Sequence, residues 1–339
     1  MLGDNFMDDL TRDGFVVVRN VLPVTEAQKY AQKAEDWLEG FSLGYKRDDP
    51  ATWKRENLPG NKRQVLYPPQ SFKSCQSDID VFFFSGIISN FSIAHAQWVW
   101  DLKTDPRWVE LFEKIWGTKE LLVSFDGANL SVPLVQEHRD APWPHTDQSP
   151  HKPDLFCIQS LINLLPNTEV DGGLWVMKGS AALFPELIEA FDLRSQFSGR
   201  DFLRYKAEHV EWLEARGCTW EHPNLDPGDV IFWDSRTAHW AASPETGRPR
   251  IAVYKRLTGV ITPAVRSMAD ACYKPAKEIA PDQLALKQEA FKKGYCTTHD
   301  PITGIAKGSQ QEADGNVLFP FGKPVLDERV LRYAGMLPY

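Results

Sequence analysis

The chain has 339 residues, of which 42% are hydrophobic and 25% are charged, as in ordinary globular domains. Its formal net charge of −8 argues against a nucleic acid or an anionic membrane surface as the main partner. No apolar run approaches the ~20 residues needed to span a bilayer, and the N-terminus lacks the basic and apolar regions of a signal peptide. The composition therefore predicts a cytoplasmic protein without a membrane segment.

The cysteines support the same compartment. There are five of them, they are scattered along the chain, and none forms a C-x-x-C pair: Cys75, Cys157, Cys218, Cys272 and Cys296. An odd number without close pairs disfavours a disulfide framework or a zinc knuckle. We expect reduced thiols, as in a cytosolic protein.

The N-terminal third predicts alternating helices and a strand. Residues 4–14 have the pattern of a short acidic helix, and the β-branched run Phe15–Val18 predicts a strand. Apolar residues at helical spacing then predict a helix over 22–38. The polar stretch 42–75 predicts a long surface excursion, either a lid over the substrate or a family-specific insertion.

The following region predicts more helix and then a strand. Residues 80–100 are apolar at helical spacing, with His95 expected in the core or at an interface. Asp105-Pro106-Arg107 has the pattern of a helix start, and Gly117 that of its end. Glu120–Phe125 predicts a strand, which the turn pair Asp126-Gly127 ends.

From about 120 to 260, short β-rich runs alternate with Pro, Gly, Asn and Asp: Asp154–Leu165, Gly173–Val176, Asp229–Trp233 and Ile251–Leu257. This rhythm predicts an antiparallel sandwich or barrel, interrupted by a helical insert at about 185–216. A C-terminal extension follows at about 260–339. Helices around one β core indicate a single domain over residues 1–339.

The most informative stretch is Trp143-Pro144-His145-Thr146-Asp147. In an extended strand, residues two apart point to the same face, so His145 and Asp147 would share one. By itself this pair is weak evidence, since His and Asp are common in surface turns. With His239 it completes two histidines and a carboxylate, a set that suits Fe(II), Mn(II) or Zn(II) and leaves positions open for catalysis.

The context of His239 strengthens this interpretation. Leu225–Asp229 predicts a tight turn in which Gly228 frees the backbone, and Val230–Trp233 predicts a buried strand after it. His239 would then lie on a rigid element. Eleven residues later Arg250 begins a β-rich run, where a guanidinium can bind a carboxylate with two hydrogen bonds.

Six stretches between about residues 5 and 257 together resemble the phytanoyl-CoA dioxygenase family of Fe(II)- and 2-oxoglutarate-dependent oxygenases: Asp13–Leu22, Pro144–Asp147, Asp171–Ser180, Leu225–Asp229, His239 and Arg250. The resemblance implies a mainly β fold, with a double-stranded β-helix (jelly-roll, cupin-like) core and flanking helices. It implies Fe(II) at His145, Asp147 and His239, and 2-oxoglutarate bound by Arg250.

The resemblance also implies a cosubstrate contact from the strand after the H-x-D motif, where Gln159 stands. Asn129 is a weaker candidate for such a contact, and its alternative role is to cap the turn at Asp126-Gly127. Ala241 departs from the family, which often has a small hydroxyl residue two positions after the distal histidine. The presence of Asp147 separates the chain from related halogenases, which have a small residue there.

The function implied is oxidation of a small organic substrate, with hydroxylation as the expected outcome, consumption of O2, and release of succinate and CO2. Desaturation, demethylation and ring formation use the same iron site and remain open. The aromatic content and acidic net charge favour an apolar or aromatic substrate over a nucleic acid. The alternative is a cupin-like metal- or ligand-binding protein without 2-oxoglutarate turnover. Arg250 discriminates between the enzyme and this alternative, because a simple metal-binding protein does not need such a residue.

Overall fold

The computed structural model describes residues 6–59, 87–88, 91–133, 142–155, 157–197, 201–242, 249–257, 281–296 and 318–339. Within them, eleven strands pair antiparallel: β1 (Phe15–Val18), β2 (Ile87–Ile88), β3 (Ala128–Ser131), β4 (His145–Thr146), β5 (Ile158–Asn163), β6 (Gly173–Lys178), β7 (Leu203–Arg204), β8 (Thr219–Glu221), β9 (Val230–Asp234), β10 (His239–Ala242) and β11 (Arg250–Leu257).

The same residues form nine α-helices: α1 (Phe6–Asp13), α2 (Val24–Gly40), α3 (Gln97–Lys103), α4 (Pro106–Trp116), α5 (Ser180–Ala190), α6 (Leu193–Gln196), α7 (Ala207–Glu214), α8 (Pro281–Lys293) and α9 (Glu328–Tyr333). None of these described helices is long and apolar enough to cross a bilayer. Four short 3-10 helices accompany them, at Pro50–Thr52, Arg55–Asn57, Ile93–His95 and Glu169–Asp171.

The strands form a large sheet of order β1-β9-β5-β11-β3-β2 and a small sheet of order β7-β4-β10-β6-β8. The interior between the sheets contains apolar side chains from both, among them Leu161 and Trp233 of the large sheet and Val176 of the small one. Two antiparallel sheets with flanking helices confirm the predicted jelly-roll core.

Each sheet also packs against helices. A large cluster joins β3, β5, β9 and β11 to helices α1–α4 and α8, and it includes Trp37, Trp100, Trp108, Phe112 and Phe291. A smaller cluster joins α5 and α7 to the small sheet through Met177. Most of the apolar burial that stabilises the fold therefore lies outside the space between the sheets.

Several predicted elements are confirmed where the structure describes them. Helix α1, strand β1 and helix α2 lie where the sequence placed them. Helix α4 begins after Asp105, whose carboxylate accepts a hydrogen bond from the Arg107 backbone N–H, and it ends at Gly117, where φ is +63°. These elements follow local rules for helix caps.

Two predicted elements differ. The region predicted as one helix over 80–100 contains strand β2, a 3-10 helix and the start of α3 in its described part. The strand predicted at Glu120–Phe125 is wrong, because this segment pairs with no strand among the described residues. The buried ammonium groups of Lys103 and Lys287 donate to its carbonyls instead, and burial lowers the pKa of Lys103 to about 8.

The stretch predicted as a surface excursion is described up to residue 59; the rest of 42–75 lies outside the described residues. The described part packs onto the helical layer, because Tyr45 and Trp53 are buried in the large cluster. Arg47 donates to Glu39 of α2 and so holds it there. Likewise, the insert predicted as helical at about 185–216 contains in its described part not only helices but also β7, which pairs with β4.

Gly228 is the third residue of the turn Asp226–Asp229 before β9 and has φ +94°. A Cβ there would lie 2.1 Å from the Leu22 carbonyl oxygen, and Gly228→Ala is expected to lower the free energy of unfolding by about 3–5 kcal/mol. Gly217→Ala is the matched control, with φ +90° and open space around the added methyl, and should cost about 1 kcal/mol. Urea denaturation measures both; equal losses would contradict the steric argument.

His95 lies in the core, as expected, at 1% exposure. Its Nε2 is 2.9 Å from the Tyr295 carbonyl oxygen, and its ring packs against Trp100, Phe125 and Phe291. Burial lowers the pKa of His95 to about 3, so the folded protein keeps this imidazole neutral.

This burial predicts an acid-dependent loss of stability. Between pH 6.5, the ordinary pKa, and about 3, the unfolded chain binds a proton that the folded chain does not, so stability falls with falling pH by about 1.4 kcal/mol per unit. From pH 6.5 to pH 5, the wild type is expected to lose about 1.5 kcal/mol more than His95→Gln does. Denaturant unfolding of both metal-free proteins tests this, and parallel losses would contradict it.

Candidate metal centre

Three side chains predicted as metal ligands converge between the two sheets. His145 on β4 pairs directly with His239 on β10, and Asp147 follows β4. The Asp147 carboxylate lies 3.7 Å from Nε2 of His145 and 3.4 Å from Nε2 of His239. One ligand atom from each residue lies within 4.8 Å of the others, and all three residues are buried. This arrangement can hold a divalent metal ion.

The backbone orients both imidazole rings. Nδ1 of His145 lies 3.3 Å from the Trp143 carbonyl oxygen, and Nδ1 of His239 lies 2.9 Å from the Thr237 carbonyl oxygen. A neutral imidazole that donates from Nδ1 has its lone pair on Nε2. Both Nε2 atoms therefore present lone pairs beside the Asp147 carboxylate, as metal binding requires.

Asp147 is held at two points. Its backbone N–H donates to the Ser235 carbonyl oxygen at 3.1 Å, and its Oδ2 accepts a hydrogen bond from Nε2 of Gln159 at 2.7 Å. The sequence predicted Gln159 as a cosubstrate contact, and the structure places its amide N–H₂ on the carboxylate. The Oε1 atom of Gln159 is buried without a hydrogen-bond partner among the described residues.

Aromatic rings enclose His145. The Trp143 ring stacks on it at 4.6 Å with an interplanar angle of 4°, and Phe202 lies 4.7 Å away. These apolar walls exclude water from the imidazole and strengthen its electrostatic interactions. The sequence analysis missed Phe202, because only the pairing of β7 with β4 brings it to His145.

Arg250 at the start of β11 is 2% exposed. Its Nε and Nη2 are buried without hydrogen-bond partners among the described residues. Beside it lies Gly173, with φ +112°, where a Cβ would be 2.9 Å from Nε of Arg250 and 2.7 Å from Oδ1 of Asn167. A buried guanidinium with unused N–H groups is costly unless an anion binds it. The site therefore fits a carboxylate ligand.

Strand β3 adds polar groups next to Arg250. Ser131 pairs with Arg250 and Asn129 pairs with Ala252, which lies in the core between the sheets. Asn129 is fully buried and accepts a hydrogen bond from the Ser131 hydroxyl at 2.8 Å. The sequence analysis missed Ser131, although its position two residues after Asn129 on the same strand face was a usable signal.

His222 lies near enough to Arg250 to interact with its charge. Its Nε2 is 3.0 Å from the Gly172 carbonyl oxygen, and its ring packs edge-on against Trp175. Burial, and secondarily the charge of Arg250, lower the pKa of His222. The imidazole therefore stays neutral, and the positive charge at this end of the site belongs to the guanidinium.

The sequence model of the family described as phytanoyl-CoA dioxygenase (PhyH) matches residues 10–252. The chain belongs to the phytanoyl-CoA dioxygenase family. It is 31% identical over 306 residues to Ava biosynthesis cluster protein O of Aspergillus versicolor, covering 88% of this chain and 86% of that protein. With the His-Asp-His triad in place, membership makes it a non-haem Fe(II)- and 2-oxoglutarate-dependent enzyme.

Other relatives are more distant. A putative phytanoyl-CoA dioxygenase of Dictyostelium discoideum is 21% identical over 283 residues, covering 73% of this chain and 72% of that protein. Among solved structures, EctD from S. alaskensis with 2-oxoglutarate and 5-hydroxyectoine has a TM-score of 0.44 at 16% identity, covering 75% of each chain. EvdO2 from Micromonospora carbonacea var. aurantiaca has a TM-score of 0.44 at 17% identity, covering 76% of this chain and 90% of that one.

Gln159→Leu should weaken metal binding, because it removes the hydrogen bond that orients the Asp147 carboxylate. Loss of such a partner typically costs about 10–100-fold in metal affinity, which titration of the metal-free protein with Co(II) measures. Gln288→Leu is the control, since this half-buried amide donates to the Gly335 carbonyl oxygen, far along the chain from the ligands. Unchanged Co(II) affinity in Gln159→Leu would show that Asp147 is held without it.

Proposed function

We propose that this enzyme hydroxylates a small organic molecule. His145, Asp147 and His239 hold Fe(II), and Arg250 binds the distal carboxylate of 2-oxoglutarate. The observation that carries the proposal is the buried guanidinium of Arg250, whose Nε and Nη2 lack partners in the described part of the chain. A metal-binding protein without a carboxylate cosubstrate gains nothing from burying this charge.

The protein's own contribution is to bind, orient and exclude water. When bound, Fe(II) and 2-oxoglutarate supply the oxidising chemistry with O2, and succinate and CO2 are the co-products. Gln159 fixes the carboxylate of Asp147, and the backbone carbonyls fix the tautomers of both histidines. The triad stands on the small sheet and Arg250 on the large one, so a cosubstrate held by both has a fixed orientation.

The substrate is expected to be apolar or aromatic, and of the size of a natural product. Two observations support this. The aromatic rings of Trp143 and Phe202 flank His145, and a relative at 31% identity is named for a biosynthesis cluster. The complete His-Asp-His set supports hydroxylation over halogenation, because the carboxylate of Asp147 is present among the ligands.

We propose that the whole chain forms one catalytic domain. It is expected to work in a reducing compartment such as the cytoplasm. The C-terminal part packs onto the β core, since Phe291 and Val330 belong to the large cluster that contains residues of β3, β5, β9 and β11. The five cysteines support the compartment, because they are scattered along the chain and none stands in a C-x-x-C pair.

The test is anaerobic addition of Fe(II) and then 2-oxoglutarate, followed by visible absorption. The wild type is expected to show the charge-transfer band of the iron chelate. Arg250→Ala should need at least about 10-fold more 2-oxoglutarate for the same band, because a charge-assisted bidentate contact is lost. Arg216→Ala is the control, since Arg216 is exposed and its guanidinium packs on the ring of Trp212.

The outcomes separate the two candidate functions. Metal binding without a band in the wild type would favour the metal- or ligand-binding alternative. A band that is equally strong in Arg250→Ala would leave the iron site intact but assign cosubstrate binding to another residue.

A further inference from the structure

The turn Asp234–Ala238, between β9 and β10, contacts two of the three metal ligands. Its Thr237 carbonyl oxygen lies 2.9 Å from Nδ1 of His239. Its Ser235 carbonyl oxygen accepts a hydrogen bond from the backbone N–H of Asp147 at 3.1 Å. The conformation of this one turn therefore sets both the orientation of an imidazole and the position of the carboxylate residue.

The N-terminal segment holds the turn from one side. The Thr237 hydroxyl donates to the Gly14 carbonyl oxygen at 2.8 Å, and the backbone N–H of Asp234 donates to the same oxygen at 2.9 Å. The approach is close, because a Cβ on Gly14 would lie only 2.7 Å from Oγ1 of Thr237. Thr237 is fully buried, so water cannot replace a lost hydroxyl.

The small sheet holds the turn from the other side. The Ser180 hydroxyl donates to the Met177 carbonyl oxygen at 2.7 Å and accepts from the backbone N–H of Ala238 at 2.9 Å. These bonds do not involve Thr237. Loss of the Thr237 hydroxyl therefore leaves the turn attached to the sheet, and to Gly14 through the Asp234 N–H, while removing the bond to Gly14 at Thr237, whose carbonyl contacts His239.

We propose that Thr237 is a positioning residue for the metal. Its hydroxyl ties the turn to Gly14, and its carbonyl, fixed by that tie, holds Nδ1 of His239 so that Nε2 points at the metal. The backbone at Gly14 thus supports the metal centre through the turn Asp234–Ala238. This inference rests on the proposed function only in requiring that the triad binds a divalent metal.

The experiment uses Co(II) as the metal probe on the full-length, metal-free protein. Thr237→Val replaces the hydroxyl with a methyl group of similar size and is expected to weaken Co(II) binding about 10-fold, as losses of ligand-orienting partners do. The visible d–d bands of bound Co(II) should also shift, because the imidazole turns. Thr237→Ser keeps the hydroxyl and should restore both affinity and spectrum.

The control separates positioning from general stability. Thr104→Val removes another buried hydroxyl, which donates to the Trp100 carbonyl oxygen at 2.8 Å. It should lower the midpoint of thermal unfolding about as much as Thr237→Val does, with unchanged Co(II) affinity and spectrum. Equal losses of Co(II) affinity in both variants would overturn the positioning role.

A second variant keeps the test decisive if Thr237→Val does not fold. Gly14→Ala leaves Thr237 in place and pushes a methyl group against its hydroxyl, and it should also weaken Co(II) binding. Its control for backbone strain is Gly217→Ala. Unchanged Co(II) affinity in Gly14→Ala overturns the inference, whereas a wild type that binds no Co(II) would instead overturn the proposed function.

Discussion

Each metal-binding histidine is fixed by a hydrogen bond from Nδ1 to the main-chain carbonyl two residues before it. This contact ties the ring to its own strand. Because His145 and His239 are directly paired across β4 and β10, the geometry of the small sheet becomes the geometry between the two Nε2 atoms. Only the Asp147 carboxylate then still has to be positioned beside these two atoms. The hydrogen bond from Gln159 positions it.

Burying these polar side chains costs free energy of folding, and apolar packing elsewhere in the fold offsets that cost. Arg250, Asn129 and Gln159 are almost completely buried between the sheets together with the triad, where each polar group loses water. The large cluster and the smaller cluster that includes Met177 lie on the outer faces of the sheets, against helices. Stability is therefore supplied mainly by the outer layers.

The two sheets also divide the chemistry between them. The small sheet and its loops carry the triad, and the large sheet carries Arg250, Ser131 and Gln159. Because the triad and the buried guanidinium of Arg250 come from different sheets, they are brought together only when the sheets pack. The turn Asp234–Ala238 connects the sheets, since it leads from β9 to β10. This explains why contacts at that turn bear on the metal.

The sequence by itself determined the β core, the helix caps of α4 and the residue types of the metal set. Period-two alternation, turn residues and metal-ligand chemistry are local properties, readable without a structure. Only the tertiary structure decided that Glu120–Phe125 binds lysine side chains instead of a strand, that Gln159 holds Asp147, and that Phe202 flanks His145. Each of these joins residues far apart in the chain, and local sequence carries no signal for which partners packing will bring together.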